Sequence, residues 1–370
     1  MNDATVASPL NDEHVALDAH LGVFAGWQMP LRYAGTLAEH EAVRSSCGVF
    51  DVSHLGVVDV IGADAEQLIL ATFTNDVTVL DDGDAQYTLC LDDSGHVRDD
   101  LIVYRFDNST FRAIPNASNT ASVVAALETQ AAHKNVAINR RKNQAVLAVQ
   151  GPAARPVVEA MCAAVGVTVT LDTIDYMTFR LCAMQDGDTL MLSRTGYTGE
   201  YGFELVCGPK PAATLWQAAL ANGATPCGLA ARDTLRLEMG YPLHGHELTD
   251  LSTPQRRNVA FALRQNDATF VGADALKHST PPQQVMRGVR GEGKRPFRDG
   301  MTVFSQDRAV GTLTSGGFSP TLGVAVGLAM IDDTVEIDTP VSVDVRGTKV
   351  SAHITRPPFV DADPRRTPPL

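Results

Sequence analysis

The chain is expected to mix helices and strands over its first 280 residues and to end in a small antiparallel β-domain. Three observations predict this. Two strand patterns flank the turn Asp92-Asp93-Ser94-Gly95, which is the signature of a hairpin. Stretches rich in Ala, Val and Leu, with helix start and stop signals, alternate with such strands up to residue 277. Past the linker Ser279-Thr280-Pro281-Pro282 the apolar runs shorten to strand length and glycine becomes frequent.

In chain order, Gly26-Trp27-Gln28-Met29-Pro30-Leu31-Arg32-Tyr33 reads as an irregular aromatic segment ending in a turn. Thr36 with Glu39 three residues on makes a capping box, and the helix it opens should stop at Gly48. Val57 to Ile61 reads as a strand and Ala63 to Thr72 as a short helix. The hairpin strands are Tyr87 to Leu91 and Leu101 to Tyr104. Thr110 to Ile114 is a strand, Ser118 to Ala132 a helix with one apolar side, and Ala145 to Val149 a strand. Gly151-Pro152 should open the next helix, with proline in its first turn. Strands Tyr176 to Met184 and Thr189 to Ser193 lead to a glycine-rich turn, and a helix follows from Lys210 to Asn222. Another runs from Pro226 to Glu238 and ends at Gly240; Phe270 to Lys277 is the last helix. The closing strands are Val285–Val289, Met301–Phe304, Ala309–Leu313, Gly323–Met330, Val341–Val345 and Lys349–Ile354.

At 370 residues, with 44% apolar residues, the chain can form two or three domains with ordinary cores. No apolar run approaches the ~20 residues of a membrane helix. Residues 1–20 hold four acids and no Lys or Arg, unlike a secretory signal or a transit peptide, so a cytoplasmic location and no membrane partner are expected. Acids outnumber bases by 43 to 30, a net charge of −13, which argues against a nucleic-acid partner. The six cysteines form no C-x-x-C pair, and buried reduced thiols are expected.

The run Ser193-Arg194-Thr195-Gly196-Tyr197-Thr198-Gly199-Glu200-Tyr201-Gly202-Phe203-Glu204 stands apart. Its three glycines permit a tight turn or a close backbone approach. Phe203, Leu205 and Cys207 alternate as in a strand, so Glu204 points to the other face. A carboxylate beside an aromatic turn can grip a flat, guanidine-like heterocycle edge through paired hydrogen bonds. A plain hairpin turn with one solvated glutamate carries the same composition. The neighbours Asp99 and Asp100 start a strand, so they face opposite ways and only one can enter a shared pocket; on the residues alone, turn chemistry is the favoured account of such a pair. Arg232 and Arg236 share one helix face. His54 reads as a satisfied structural histidine, because no second ligand or nucleophile is near it in sequence. His244-Gly245-His246 hints at a metal pair, but no further Cys or His cluster accompanies it and no metal is expected.

Several of these runs resemble one family. The turn at 193–204, Gly48-Val49-Phe50-Asp51-Val52-Ser53-His54-Leu55-Gly56, Asp99-Asp100-Leu101-Ile102-Val103, Gln150-Gly151-Pro152, Ala231-Arg232-Asp233 with Arg236-Leu237-Glu238, and Thr314 to Gly323 occur in order. Together they resemble the aminomethyltransferase (T-protein) of the glycine cleavage system, a folate-binding family. The resemblance runs from Gly26 to Val360. It implies an α+β fold with antiparallel sheets: two interleaved domains plus a C-terminal β-barrel-like domain, arranged around a central folate channel. The expected division is 1–56 with 140–280, then 57–139, then 283–370.

The resemblance also implies the chemistry. An aminomethyl group carried on the lipoate of a partner H-protein loses ammonia, and its carbon reaches N5 and N10 of tetrahydrofolate as a methylene bridge. Asp100 maps to the family's key carboxylate, stabilising a developing iminium cation and orienting the attacking amine. Tyr87, Tyr197 and Tyr241 should line the pterin, Glu204 should hold its edge, and Asn116 and Arg232 complete the expected site. Arg236 is expected to pair structurally. The family commonly has Gly-Gly and two apolar residues before the Asp pair, where this chain has Gly95-His96-Val97-Arg98. It often has Arg after Pro357-Pro358-Phe359-Val360, where Asp361 stands; Arg365 or Arg366 is the available substitute. Two alternatives remain open on the sequence. One is another folate-dependent demethylase of the same fold. The other is a non-enzymatic folate-binding protein, whose relatives carry a cysteine in the turn matching Thr195-Gly196-Tyr197.

Overall fold

The computed structural model describes residues 5–264, 269–280 and 282–368. Among them the strands form four sheets, and the chain divides into two compact units. The first unit takes Met1–Cys90, Asp99–Arg232 and Asp363–Leu370; the second takes Leu91–Arg98 and Asp233–Ala362. The fold is α+β, with pairing that is almost wholly antiparallel.

A six-stranded sheet runs through the first unit in the order Phe179–Ala183, Thr189–Ser193, Gly202–Cys207, Ala145–Gln150, Gly48–Asp51, Thr225–Cys227. Its central strands Gly202–Cys207 and Ala145–Gln150 are buried on both faces. The amphipathic helices Ala154–Ala164 and Pro209–Ala221 cover it, with Leu147, Leu205, Met161 and Trp216 in one apolar cluster. Completely burying such side chains stabilises by about 1.5–3 kcal/mol each. A five-stranded sheet is ordered Ala85–Leu91, Val97–Asp107, Thr110–Ile114, Val58–Ile61, Ala137–Arg140. Helices Ala65–Thr72 and Thr120–Gln130 pack on its core around Val60, Leu68, Phe111 and Val123.

The second unit holds a closed barrel of Gln284–Gly291, Val324–Asp332, Arg308–Ser319, Thr302–Ser305, Pro340–Val345 and Thr348–Thr355. Closure removes the unpaired sheet edges. Val289, Leu313, Ile331, Val343 and Ile354 fill its interior. Register shifts after Val303 and Leu313 are the local irregularities that let long strands bend around a small barrel.

The structure corrects several local expectations. Gly26 to Tyr33 is not irregular: Trp27–Arg32 is the middle strand of a small sheet with Val6–Ala7 and His20–Phe24. The helix Thr36–Ser45 forms without a capping box. Glu39 is completely buried, and its carboxylate accepts from the backbone N–H groups of Tyr33 (2.7 Å), Gly35 (2.9 Å) and Gly228 (2.8 Å). It ties the backbone at its own helix start, Gly35, to the distant backbone of Gly228. Pro152 lies two residues ahead of the helix Ala154–Ala164 rather than in its first turn. The strand Arg308–Ser319 extends past Leu313 through Thr314-Ser315-Gly316-Gly317, and the strand Ala137–Arg140 was not expected. Of the linker, Pro281 lies outside the described residues, as do residues 1–4 of the acidic N-terminal segment. The cysteines are reduced thiols, and all but Cys182 are buried.

Candidate active site

Two clusters of polar side chains meet in the first unit. The first grows from the strand Val97–Asp107, where burial alternates along the pleat. Asp99 turns into the core and is completely buried, while Asp100 faces the opposite way and is half-buried. Tyr87, on the adjacent strand Ala85–Leu91, donates its hydroxyl to Oδ2 of Asp100 at 3.0 Å. Asn116, just past the strand Thr110–Ile114, donates its Nδ2 to Oδ1 of Asp100 at 3.1 Å and to the Asp100 carbonyl at 2.9 Å. Burial, and then the Asp100 carboxylate, raise the Tyr87 hydroxyl well above the usual tyrosine range, which keeps it a donor.

The second cluster is built on the glycine-rich turn. The turn is braced from outside: Arg44 donates to the Thr198 carbonyl and to Glu200, each at 2.8 Å. From inside, Gln150 accepts from the Thr198 hydroxyl at 2.8 Å and donates to the Thr195 carbonyl at 3.1 Å. Gly199 adopts φ +83°, in the left-handed region. At Gly202 a Cβ would lie 2.4 Å from the Val149 carbonyl oxygen, so only glycine fits that strand pairing.

Glu204 sits on the strand Gly202–Cys207 opposite Ser193 and is buried, not solvated. The Thr195 hydroxyl donates to its Oε2 at 2.6 Å, a charge-assisted bond. Ser193 Oγ lies 2.9 Å from Thr195 Oγ1 and holds that hydroxyl in place. Arg232, in the first turn of the helix Leu229–Met239, lays its guanidinium over the Tyr197 ring with Cζ 4.8 Å from the centroid. Its Nη1 is buried without a hydrogen-bond partner. Burial lowers the guanidinium below the usual arginine range, against the pull of Glu204 and Tyr197.

His54 follows the turn at Asp51, whose Oδ1 accepts from the Ser53 backbone at 2.9 Å and whose Oδ2 meets His14 Nε2 at 2.8 Å. His54 packs edge-on against Phe24, with centroids 5.2 Å apart. It is not the satisfied histidine expected, since its Nδ1 is buried without a hydrogen-bond partner. Burial first, and Arg232 second, push its imidazole down to about 4.

Tyr197 adds to the rise of the Tyr87 hydroxyl, which places the two clusters near one another. Asp100, Tyr87, Asn116, Tyr197, Arg232 and Glu204 therefore gather in one unit. Tyr241 lies in the second unit, two residues past the helix Leu229–Met239, and its backbone N–H donates to the Arg236 carbonyl at 3.0 Å. Arg236 takes the structural pairing expected of it, with Asp233 at 2.8 Å and Glu247 at 3.1 Å. Arg365 is paired with Asp363 at 2.8 Å. His244 bonds the Val97 carbonyl and His246 the Thr314 carbonyl. Among the described residues no group of three or more His, Cys, Asp or Glu could hold a metal, and no helix is long and apolar enough to cross a membrane.

Sequence reasoning passed over Thr195 as the partner of Glu204 and the burial of Asp99 in the core. For Asp99 a signal existed, because alternation already sent one of the two aspartates into the core. Nothing local marked Thr195 as the partner of a carboxylate nine residues on.

Residues 10–267 match a family model described as the GCVT N-terminal domain, and residues 285–361 match the glycine cleavage T-protein C-terminal barrel domain. The chain is 42% identical over 363 residues to an aminomethyltransferase of Mycobacterium tuberculosis, covering 96% of this chain and 97% of that protein. It is 43% identical over 367 residues to one from Frankia alni, covering 97% and 98%. A crystal structure of the glycine cleavage system aminomethyltransferase T from Bartonella henselae superposes with a TM-score of 0.89 at 31% identity, covering 97% of this chain and 99% of that one.

Proposed function

The chain belongs to the glycine cleavage T-protein family, and from that premise we infer that it is an aminomethyltransferase acting between lipoylated H-protein and tetrahydrofolate. The aminomethyl group on the lipoyl sulfur gives up ammonia, the sulfur leaves as a thiol, and the carbon bridges N5 and N10 of the folate. The observation that carries the site is the pair of neighbouring clusters, with Asp100 fixed by Tyr87 and Asn116 and with Glu204 fixed by Thr195.

Each residue has a distinct task in this reading. Asp100 sets a carboxylate, pre-oriented by two donors, where positive charge develops as ammonia departs; such fixed groups cost no reorganisation at the moment of reaction. Its role is electrostatic and positional, because an aryl amine needs little proton removal before attack. Glu204 presents an acceptor to the pterin edge, and Tyr87 and Tyr197 supply flat walls. Arg232 contributes positive charge and restrains the nearby carboxylates. Its buried, unpartnered Nη1 is an orphan donor of the kind that ligands satisfy. Asn116 is carried with Asp100. Tyr241 is proposed as a further pocket tyrosine on the resemblance alone.

The three-domain division 1–56 with 140–280, 57–139 and 283–370 is part of the same proposal. It is supported by the five-stranded sheet falling largely within the second segment and the barrel within the third. A cytoplasmic location belongs to it as well. The test is turnover of tetrahydrofolate with aminomethyl-loaded H-protein, set against methylamine and sulfonium donors. Activity with H-protein and none with the small donors is expected; the reverse pattern would replace this reading by that of a small-molecule demethylase.

A further inference from the structure

The hydrogen bonds behind Asp100 lead one step deeper into the molecule. Asp99 is completely buried, and three donors converge on it. Its Oδ1 accepts from Nδ2 of Asn116 and from Nδ2 of Asn119, each at 2.8 Å. Its Oδ2 accepts from the Asn116 backbone N–H at 3.0 Å. The same Asn116 Nδ2 reaches the Asp100 carbonyl at 2.9 Å and Asp100 Oδ1 at 3.1 Å. We propose that Asp99 is a positioning residue for the transfer reaction: it holds the Asn116 carboxamide, which in turn holds the Asp100 carboxylate. The inference rests on the assignment of Asp100 made above.

The physical need for such a residue is specific. The terminal torsion of an asparagine is broad and nearly two-fold, so an unrestrained amide can present oxygen where nitrogen is required. Oxygen facing Asp100 would repel it. Asp99 forbids that flip, because both its oxygens are committed to N–H donors, one of them the Asn116 amide itself. Asn119, in the single turn Ala117–Asn119, pins Oδ1 from the other side. Burying a carboxyl group is costly even when it is hydrogen-bonded, so stability alone is a poor reason to keep one here. Burial and the neighbouring Asp100 push the Asp99 carboxyl up to about 8.

The test is a double-mutant cycle on the full chain with Asp99→Asn, Asp100→Asn and both together, with Asn119→Ala as a milder probe. Steady-state kcat and KM for tetrahydrofolate are measured with loaded H-protein. For Asp99→Asn, kcat should fall about tenfold or more while KM stays within about threefold, the split of an interaction felt in the transition state. The double variant should lose no more than Asp100→Asn alone, since the two act through one carboxylate. Asn119→Ala should lower kcat in the same direction by less. Losses that multiply in the double variant, or an unchanged kcat in Asp99→Asn, would overturn the inference. If Asp99→Asn does not fold, an unchanged kcat in Asn119→Ala overturns it instead. Full turnover by Asp100→Asn is a different result: it removes the assignment of Asp100 itself, and the inference with it.

Discussion

The guanidinium of Arg232 lies over the ring of Tyr197 at 4.8 Å, with one of its terminal nitrogens buried and unpartnered. A lysine cannot reproduce that arrangement, because a compact ammonium neither stacks as a plane nor offers a fork of donors. Arg232→Lys is expected to lower kcat/KM for tetrahydrofolate by about thirtyfold, in line with a desolvated cation–π contact of roughly 2 kcal/mol. Steady-state kinetics check this, and wild-type values in the lysine variant would show that only the charge matters.

Asp100→Asn keeps the shape of the side chain and removes its charge. Tetrahydrofolate affinity should stay within about an order of magnitude while kcat falls by about a hundredfold, the loss typical of one pre-organised electrostatic group. Equilibrium binding and turnover are measured side by side. Equal loss of both would assign Asp100 to binding.

Glu204 and Thr195 should separate on the binding side. Glu204→Gln is expected to raise KM for tetrahydrofolate by about ten- to a hundredfold, as for a charge-assisted hydrogen bond worth roughly 1.5–3 kcal/mol. Thr195→Val removes the 2.6 Å bond that orients the carboxylate, and the hydroxyl's contact with Ser193, but leaves the carboxylate itself, so its KM should rise less. A larger effect at Thr195 than at Glu204 would move the recognition role to the hydroxyl.

His54 makes stability depend on pH. Its imidazole titrates at about 4 in the folded protein, below the ordinary 6.5. Between those values the unfolded chain binds more protons, so stability rises with pH through the window and is lost as pH falls from 6.5 towards 4. The loss is on the order of 3 kcal/mol at most. Denaturant unfolding of the wild type and His54→Gln from pH 4.5 to 7 should show a steeper acid loss in the wild type; parallel curves would count against a buried neutral imidazole.

Gly202→Ala should destabilise by about 1–3 kcal/mol, the usual cost of overpacking. The new methyl group meets the Val149 backbone oxygen at 2.4 Å, which no side-chain rotation can relieve. The change reads out as a lower thermal midpoint, and because the same strand carries Glu204, as weaker folate binding. An unchanged midpoint would mean that the pairing of Gln150 with Gly202 yields easily.

Much of this protein was legible locally. The strands Thr110–Ile114 and Thr189–Ser193, the hairpin around Ser94, the barrel strands and the helix carrying Arg232 follow from periodicity and turn residues, which act over a few neighbours. The alternation that separates Asp99 from Asp100, and the emergence of Glu204 from its turn, follow from the same rule. Tertiary structure alone decided what those side chains meet. Glu39 reaches beyond its own helix start to the backbone of Gly228, Trp27–Arg32 becomes a strand because it pairs on both sides, and Arg232 finds Tyr197. Partners so far apart in sequence come together only when the sheets close around them, and no local pattern of residues encodes that meeting.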